Sequence, residues 1–239
     1  CPAATLFRAP GRWQGGATGA VDGDGRTAIV ATNGGLNSSL SPSLINPPRL
    51  YYHFTDSSVP TSLILAAWDD RLKQYLPTRD LLSLFRGYAG LRGVFQSHRE
   101  YAEAGVLKLM DYHPAAAHSV TAAVLQSMVF LNRKEGFEPK PLPPEAQLSP
   151  AFGVSVGDLD GDGIDDLFLA QNFAAFPTDA DRLDAGRGLW LRGLGEAIFT
   201  PVSGDEAWLK MYGAAPTSCA SATSVGRGWR RVIHKLHTL

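Results

Sequence analysis

Two rhythms of apolar and polar positions alternate along this chain, and they divide it. Residues 151–157, Ala-Phe-Gly-Val-Ser-Val-Gly, alternate with the period of a half-buried strand. A polar, glycine-rich loop follows, and then the apolar run Leu167-Phe168-Leu169-Ala170 predicts a second strand. Residues 187–192 and 197–202 predict two more. Upstream, 49–54 and 61–68 are rich in β-branched and aromatic residues and read as strands. Residues 120–131 read as one long strand, turning through 132–136 into the proline-rich segment 137–142. Between these blocks the period changes. Leu81, Leu82, Phe85 and Tyr88 recur at helical spacing. A second helix is predicted from Ser97, through Tyr101, Ala104 and Val106 to Met110. Ser97 and Glu100 have the S-x-x-E spacing of a capping box, in which each side chain takes the other residue's backbone N–H. Residues 71–115 thus interrupt a β chain, and their apolar faces are expected to cover the parent sheet.

The loop at 158–166 carries the most specific chemistry. Asp158, Asp160, Asp162, Asp165 and Asp166 crowd into one short stretch. Like charges at this density call for a counter-charge. A hard divalent cation supplies it, and calcium accepts roughly six to eight oxygen ligands in irregular geometry. Asp158, Asp160 and Asp162 alternate, so their side chains can converge. Gly161 and Gly163 permit the turn. The expected ligands are the side chains of Asp158, Asp160, Asp162 and Asp166 with the carbonyl of Ile164. Asp165 is expected to point the other way, into solvent. The helix-loop-helix calcium site is excluded, because its twelfth position needs glutamate and here is Leu169. Acidic turns also occur without metal, but that leaves the spacing unexplained.

This hairpin resembles the FG-GAP (VCBS-type) repeat, the blade unit of integrin-α-like β-propellers. Phe152-Gly153 matches the Phe-Gly opening, Asp158 to Asp166 match the calcium loop, and 187–202 match the outer two strands. The likeness is strong over 151–202, looser over 11–150, and stops near Gly213. It implies a mainly β fold of four-stranded antiparallel blades with a helical insertion, in a ring this chain does not complete. The implied parts are blade segments over 1–70, the insertion over 71–118, outer strands of the interrupted blade over 119–150, a full blade over 151–204, and the start of another over 205–239. Residues 49–68 are expected to pair with 119–142. The implied role is calcium-stabilised binding or adhesion, of a protein or glycan, outside the cytoplasm or at the cell surface. The alternative is the propeller part of a polysaccharide-acting hydrolase or lyase.

A weaker copy of the loop lies at 20–28. Asp22, Asp24 and Gly25 hold their slots, but Ala20 and Ala28 stand where carboxylates belong. Two acidic ligands predict weak calcium binding or none. The slot at 55–60 retains only Asp56. The acidic, aromatic loop 172–186, with Phe173, Phe176, Asp179, Asp181 and Asp184, is a candidate ligand loop.

Composition excludes more than it selects. A net charge of −1 offers no field for nucleic acid. No apolar run reaches about 18 residues, so no membrane span is expected. Cys1 and Cys219 make no disulfide framework. The six histidines form no metal-binding pair, and neither Gly-x-Ser-x-Gly nor a phosphate-binding loop occurs, so no enzyme chemistry is predicted. The absence of an initiating Met suggests a mature or cut product. The tail 214–239 lacks Asp and Glu, and reads as an altered C-terminus that leaves its blade unfinished.

Overall fold

A computed structural model describes residues 10–41, 43–53, 62–87, 93–110, 118–172 and 185–203. Several expectations lie outside these residues. They are the reduced slot at Asp56, Tyr88 of the first helix, the aromatic and acidic residues 173–184, the blade start at 206–213, the tail, and both cysteines.

The described residues form three four-stranded antiparallel sheets and three short α-helices. The first sheet contains β1 (Gly15–Gly19), β2 (Ala28–Thr32), β7 (Met128–Arg133) and β8 (Gly136–Pro141), in that order. The second is a plain meander of β9 (Ala151–Gly157), β10 (Asp166–Gln171), β11 (Leu189–Gly193) and β12 (Phe199–Val202). The third runs β6 (His118–Thr121), β3 (Arg49–His53), β4 (Ser62–Asp69), β5 (Gln74–Pro77). No helix among the described residues is long and apolar enough to cross a membrane.

Residues 151–202 therefore form the expected four-stranded sheet, with the acidic loop joining its first two strands. The expected pairing of 49–68 with 119–142 holds only at the start of the second segment. The hairpin at 128–141 belongs to β2, with Ile29 opposite Phe130. Only His118–Thr121 joins β3, with Leu50 opposite Val120. The single long strand expected over 120–131 is thus two strands in two sheets. The reason lies in the backbone between them. The Val124 carbonyl accepts from Asn33 Nδ2 at 3.0 Å, and the Leu125 carbonyl from the Gly35 N–H at 2.9 Å. Gln147 holds both backbone groups of Ser127, through Oε1 at 2.8 Å and Nε2 at 3.0 Å. Once these groups are taken by side chains and a loop, no ladder can continue through them. Everything from 33 to 127 is therefore inserted between the second and third strands of the first sheet.

The insertion has its own core. Ile64 and Ala66 of β4, with Tyr51 and Tyr75, pack against α1 (Leu81–Gly87), α2 (His98–Glu103) and α3 (Val106–Met110) through Leu84, Tyr101, Val106 and Leu109. The helical faces do cover their parent sheet. Gln74–Pro77 is a strand inside the stretch expected to be helical. The second helix is also broken in two, because Gln74 Nε2 donates to the Glu103 carbonyl at 2.8 Å and Ala104 leaves helical backbone at ψ 121°. Half of the capping box forms. Ser97 Oγ accepts the Glu100 N–H at 3.1 Å, while the Glu100 carboxylate takes the Gln96 N–H rather than that of Ser97.

The first and second sheets share one core. Val30, Val129 and Leu131 pack with Leu167, Leu169 and Leu191. Residue choice permits close approach: a Cβ on Gly15 would lie 2.7 Å from the Phe152 carbonyl oxygen. β10 is buried along its whole length, which explains its unbroken apolar run.

Candidate metal centre

The loop between β9 and β10 is held by its own aspartates. Asp158 Oδ1 accepts the N–H groups of Gly161 at 2.6 Å and Asp162 at 3.1 Å, and Oδ2 that of Gly163 at 2.9 Å. Asp162 Oδ1 accepts the Ile164 N–H at 2.8 Å. Gly161 and Gly163 adopt φ of 85° and 87°, a region that side chains with a Cβ rarely enter. The two glycines turn the chain back over Asp158.

Three of the four expected carboxylates are brought together. Oxygens of Asp158, Asp160 and Asp166 all lie within 4.8 Å of one another. Asp162 is not among them; its carboxylate is turned onto the Ile164 amide. Ile164 sits half-buried in the loop. Asp165 points away from the cluster, as expected, but not into solvent. Its Oδ2 accepts the Ala20 N–H at 2.8 Å, tying this loop to the one at 20–27.

Asp166 is the most constrained of the set. It is fully buried. Its Oδ1 accepts the Gly193 N–H at 2.8 Å, and its Oδ2 those of Leu159 at 3.0 Å and Trp190 Nε1 at 3.2 Å. Burial pushes its pKa above the usual carboxylate range, opposed by these hydrogen bonds and reinforced by the Asp160 charge. Arg192 Nε lies 2.7 Å from Asp160 Oδ2, an ion pair by distance whose N–H is not aligned for a hydrogen bond. One guanidinium beside three carboxylates leaves two negative charges unmatched. The donor set is all oxygen, part of it still free because a carboxylate offers about four lone-pair sites. That chemistry fits a hard cation.

The loop at 20–27 makes the same turn with different charges. Gly23 and Gly25 have φ of 74° and 76°, and Asp24 Oδ1 accepts the Arg26 N–H at 2.8 Å, as Asp162 does for Ile164. Here Arg133 Nη1 reaches Asp22 Oδ2 at 2.6 Å and Asp24 Oδ2 at 3.0 Å. Its Nε meets Glu138 at 2.9 Å. The Arg26 amide is the main cause holding the Asp24 pKa below the usual range, and the Arg26 and Arg133 charges add to it. Hydrogen bonds to Glu138 and Asp22 in turn raise that of Arg133. A protein cation thus sits between the two acids of this loop. Arg133→Gln is expected to lower the melting temperature equally in calcium and in chelator. A loss confined to one condition would contradict that role.

Arg133, Arg192, Trp190 and Gly193 are the contributors the sequence did not flag. All four lie on third strands, far along the chain from the loops they serve. The one local signal is that each third strand carries an arginine near its end. No protein family, curated protein or solved structure matches this chain.

Proposed function

We propose that this chain is a segment of an FG-GAP-type β-propeller stabilised by one calcium ion, acting in binding or adhesion outside the cytoplasm. The observation that carries the proposal is the convergence of Asp158, Asp160 and Asp166 at the tip of a β-hairpin, with Asp166 fully buried. A buried carboxylate beside two others must take up a proton or a cation, because mutual repulsion at such range is costly in a poorly hydrated site. Asp158, Asp160 and Asp166 would hold the ion, which would supply the positive charge and lock the turn. Extracellular calcium, near millimolar, suits a loop of this kind.

Two further features support the propeller reading. The first and second sheets are both four-stranded, antiparallel and packed on one shared core. Their first loops share glycine conformation and an aspartate-to-amide hydrogen bond. In this reading they are adjacent blades, and the insertion 33–127 occupies the same position in its blade that the connection 172–188 occupies in the next.

A melting series tests the metal. With a dissociation constant near 10⁻⁴ M, calcium at about ten times that value adds about 1.4 kcal/mol. Magnesium is expected to substitute poorly, because it demands near-octahedral geometry and keeps its water. Asp160→Ala removes the calcium increment. Identical melting in calcium and chelator ends the proposal.

A further inference from the structure

Between the third sheet and α2–α3 lies a cavity of about 620 Å³. That is the size of a small-molecule pocket, roughly 300–1,000 Å³. Its walls include the aromatic rings of Tyr51, Trp68 and Tyr75, and Arg49 contributes a guanidinium. The charges around it are matched except one. Lys73 pairs with Asp70 at 3.4 Å, Lys108 with Glu100 at 3.6 Å, and Glu103 with Arg99 at 3.1 Å. Arg49 makes no hydrogen bond or ion pair with a described residue, and its Nε is buried. Among the described residues its partner is the face of Tyr75, with Cζ 4.3 Å from the ring centroid. Register explains the isolation: Arg49 lies opposite Ala66 on one side and Thr121 on the other, so neither neighbouring strand offers an acid.

We infer that this cavity binds a small, ring-bearing carboxylate, with Arg49 as its anchor. Arg49 is half-buried with its Nε shielded from solvent, so its charge is poorly hydrated on that side, and a flat fork of N–H donors fits a carboxylate through two parallel hydrogen bonds. A single negative charge is favoured over a phosphate dianion, because the lining cations Arg49, Lys73 and Lys108 outnumber the lining acids Glu100 and Glu103 by one. The aromatic walls select a flat or ring-shaped body, which stacks on them at little entropic cost. The site lies in the insertion's own core, away from the aspartate loop, so it stands or falls independently of calcium.

The test is titration of the whole chain with benzoate, glucuronate, inorganic phosphate and the neutral counterparts benzamide and glucose, followed by calorimetry and tryptophan fluorescence. One carboxylate is expected to bind saturably while its neutral counterpart does not. Arg49→Gln should weaken that binding about tenfold or more, and Arg49→Lys should not restore it, because an ammonium cannot grip both oxygens. Leu107→Trp, at an exposed position of the lining, should block the cavity with Arg49 intact. Failure of both carboxylates to bind at about 10 mM, far weaker than an ordinary site, would overturn the inference. So would phosphate binding as tightly as carboxylate, or binding unchanged in both Arg49→Gln and Leu107→Trp.

Discussion

Asp166→Ala lowers the stability of the folded chain by about 3 kcal/mol, because three donors lose their acceptor at once. The Gly193 amide is buried, and those of Leu159 and the Trp190 indole are partly so. Water can repair the outer contacts but not the inner one. At roughly 2–4 °C per kcal/mol for a chain of this size, the melting temperature falls by about 6–12 °C. Asp166→Asn separates the hydrogen bonds from the charge. It keeps one acceptor oxygen and removes one negative charge from the cluster. Its cost is therefore expected to be smaller in chelator than in calcium, where the lost charge is also a lost ligand. Thermal melts of both variants in both conditions read the difference. An Asp166→Ala protein as stable as wild type would show that the buried carboxylate is not what joins the loop to β11.

Leu169→Ala is expected to cost about 3 kcal/mol, within the range of roughly 2–5 for a leucine truncated in a packed interior. Leu169 is fully buried in the core shared by the first two sheets, opposite Val154 on β9 and Leu189 on β11. Neither neighbour can close the void without pulling its own strand out of register. Leu63→Ala on β4 is the comparison, because Leu63 is 53% exposed. Its effect should stay within about 0.5 kcal/mol. Denaturant unfolding measures both. Equal losses would mean that the two sheets do not bury a common core.

The second sheet was readable in the sequence because each of its signals is local. Alternation marks β9, the apolar run marks β10, and the glycines of the acidic loop fix the turn between them. The first sheet was not, because its continuity is long-range. Nothing in Val120 to Leu131 shows a break. The break is imposed by Asn33, Gly35 and Gln147, which reach in from both sides along the chain and take the backbone groups a strand would use. The helical stretch shows the same limit. Its period continues through Gly105, but the amide of Gln74 interrupts it from the neighbouring strand.

The aspartate loop divides along the same line. Spacing alone placed Asp158, Asp160 and Asp166 together. It also placed Asp162 with them and turned Asp165 into solvent. The structure instead uses Asp162 to hold the Ile164 amide and Asp165 to hold the Ala20 amide of the adjoining sheet. Asx-type hydrogen bonds compete with ligation for the same short side chains, and sequence spacing does not say which prevails. Arg133 could not be assigned a role from sequence for a related reason. Its partners Asp22 and Asp24 come within reach only because β7 crosses the whole insertion to pair with β2.

Calcium titration by calorimetry tests the proposal most directly. The wild-type chain is expected to bind one equivalent in the 10⁻⁴ M range. Asp158→Asn and Asp160→Asn should abolish the heat, and Arg133→Gln should leave the stoichiometry at one. No binding by the wild type, or one equivalent retained after both aspartates are replaced, would contradict the assignment of the ion to Asp158, Asp160 and Asp166.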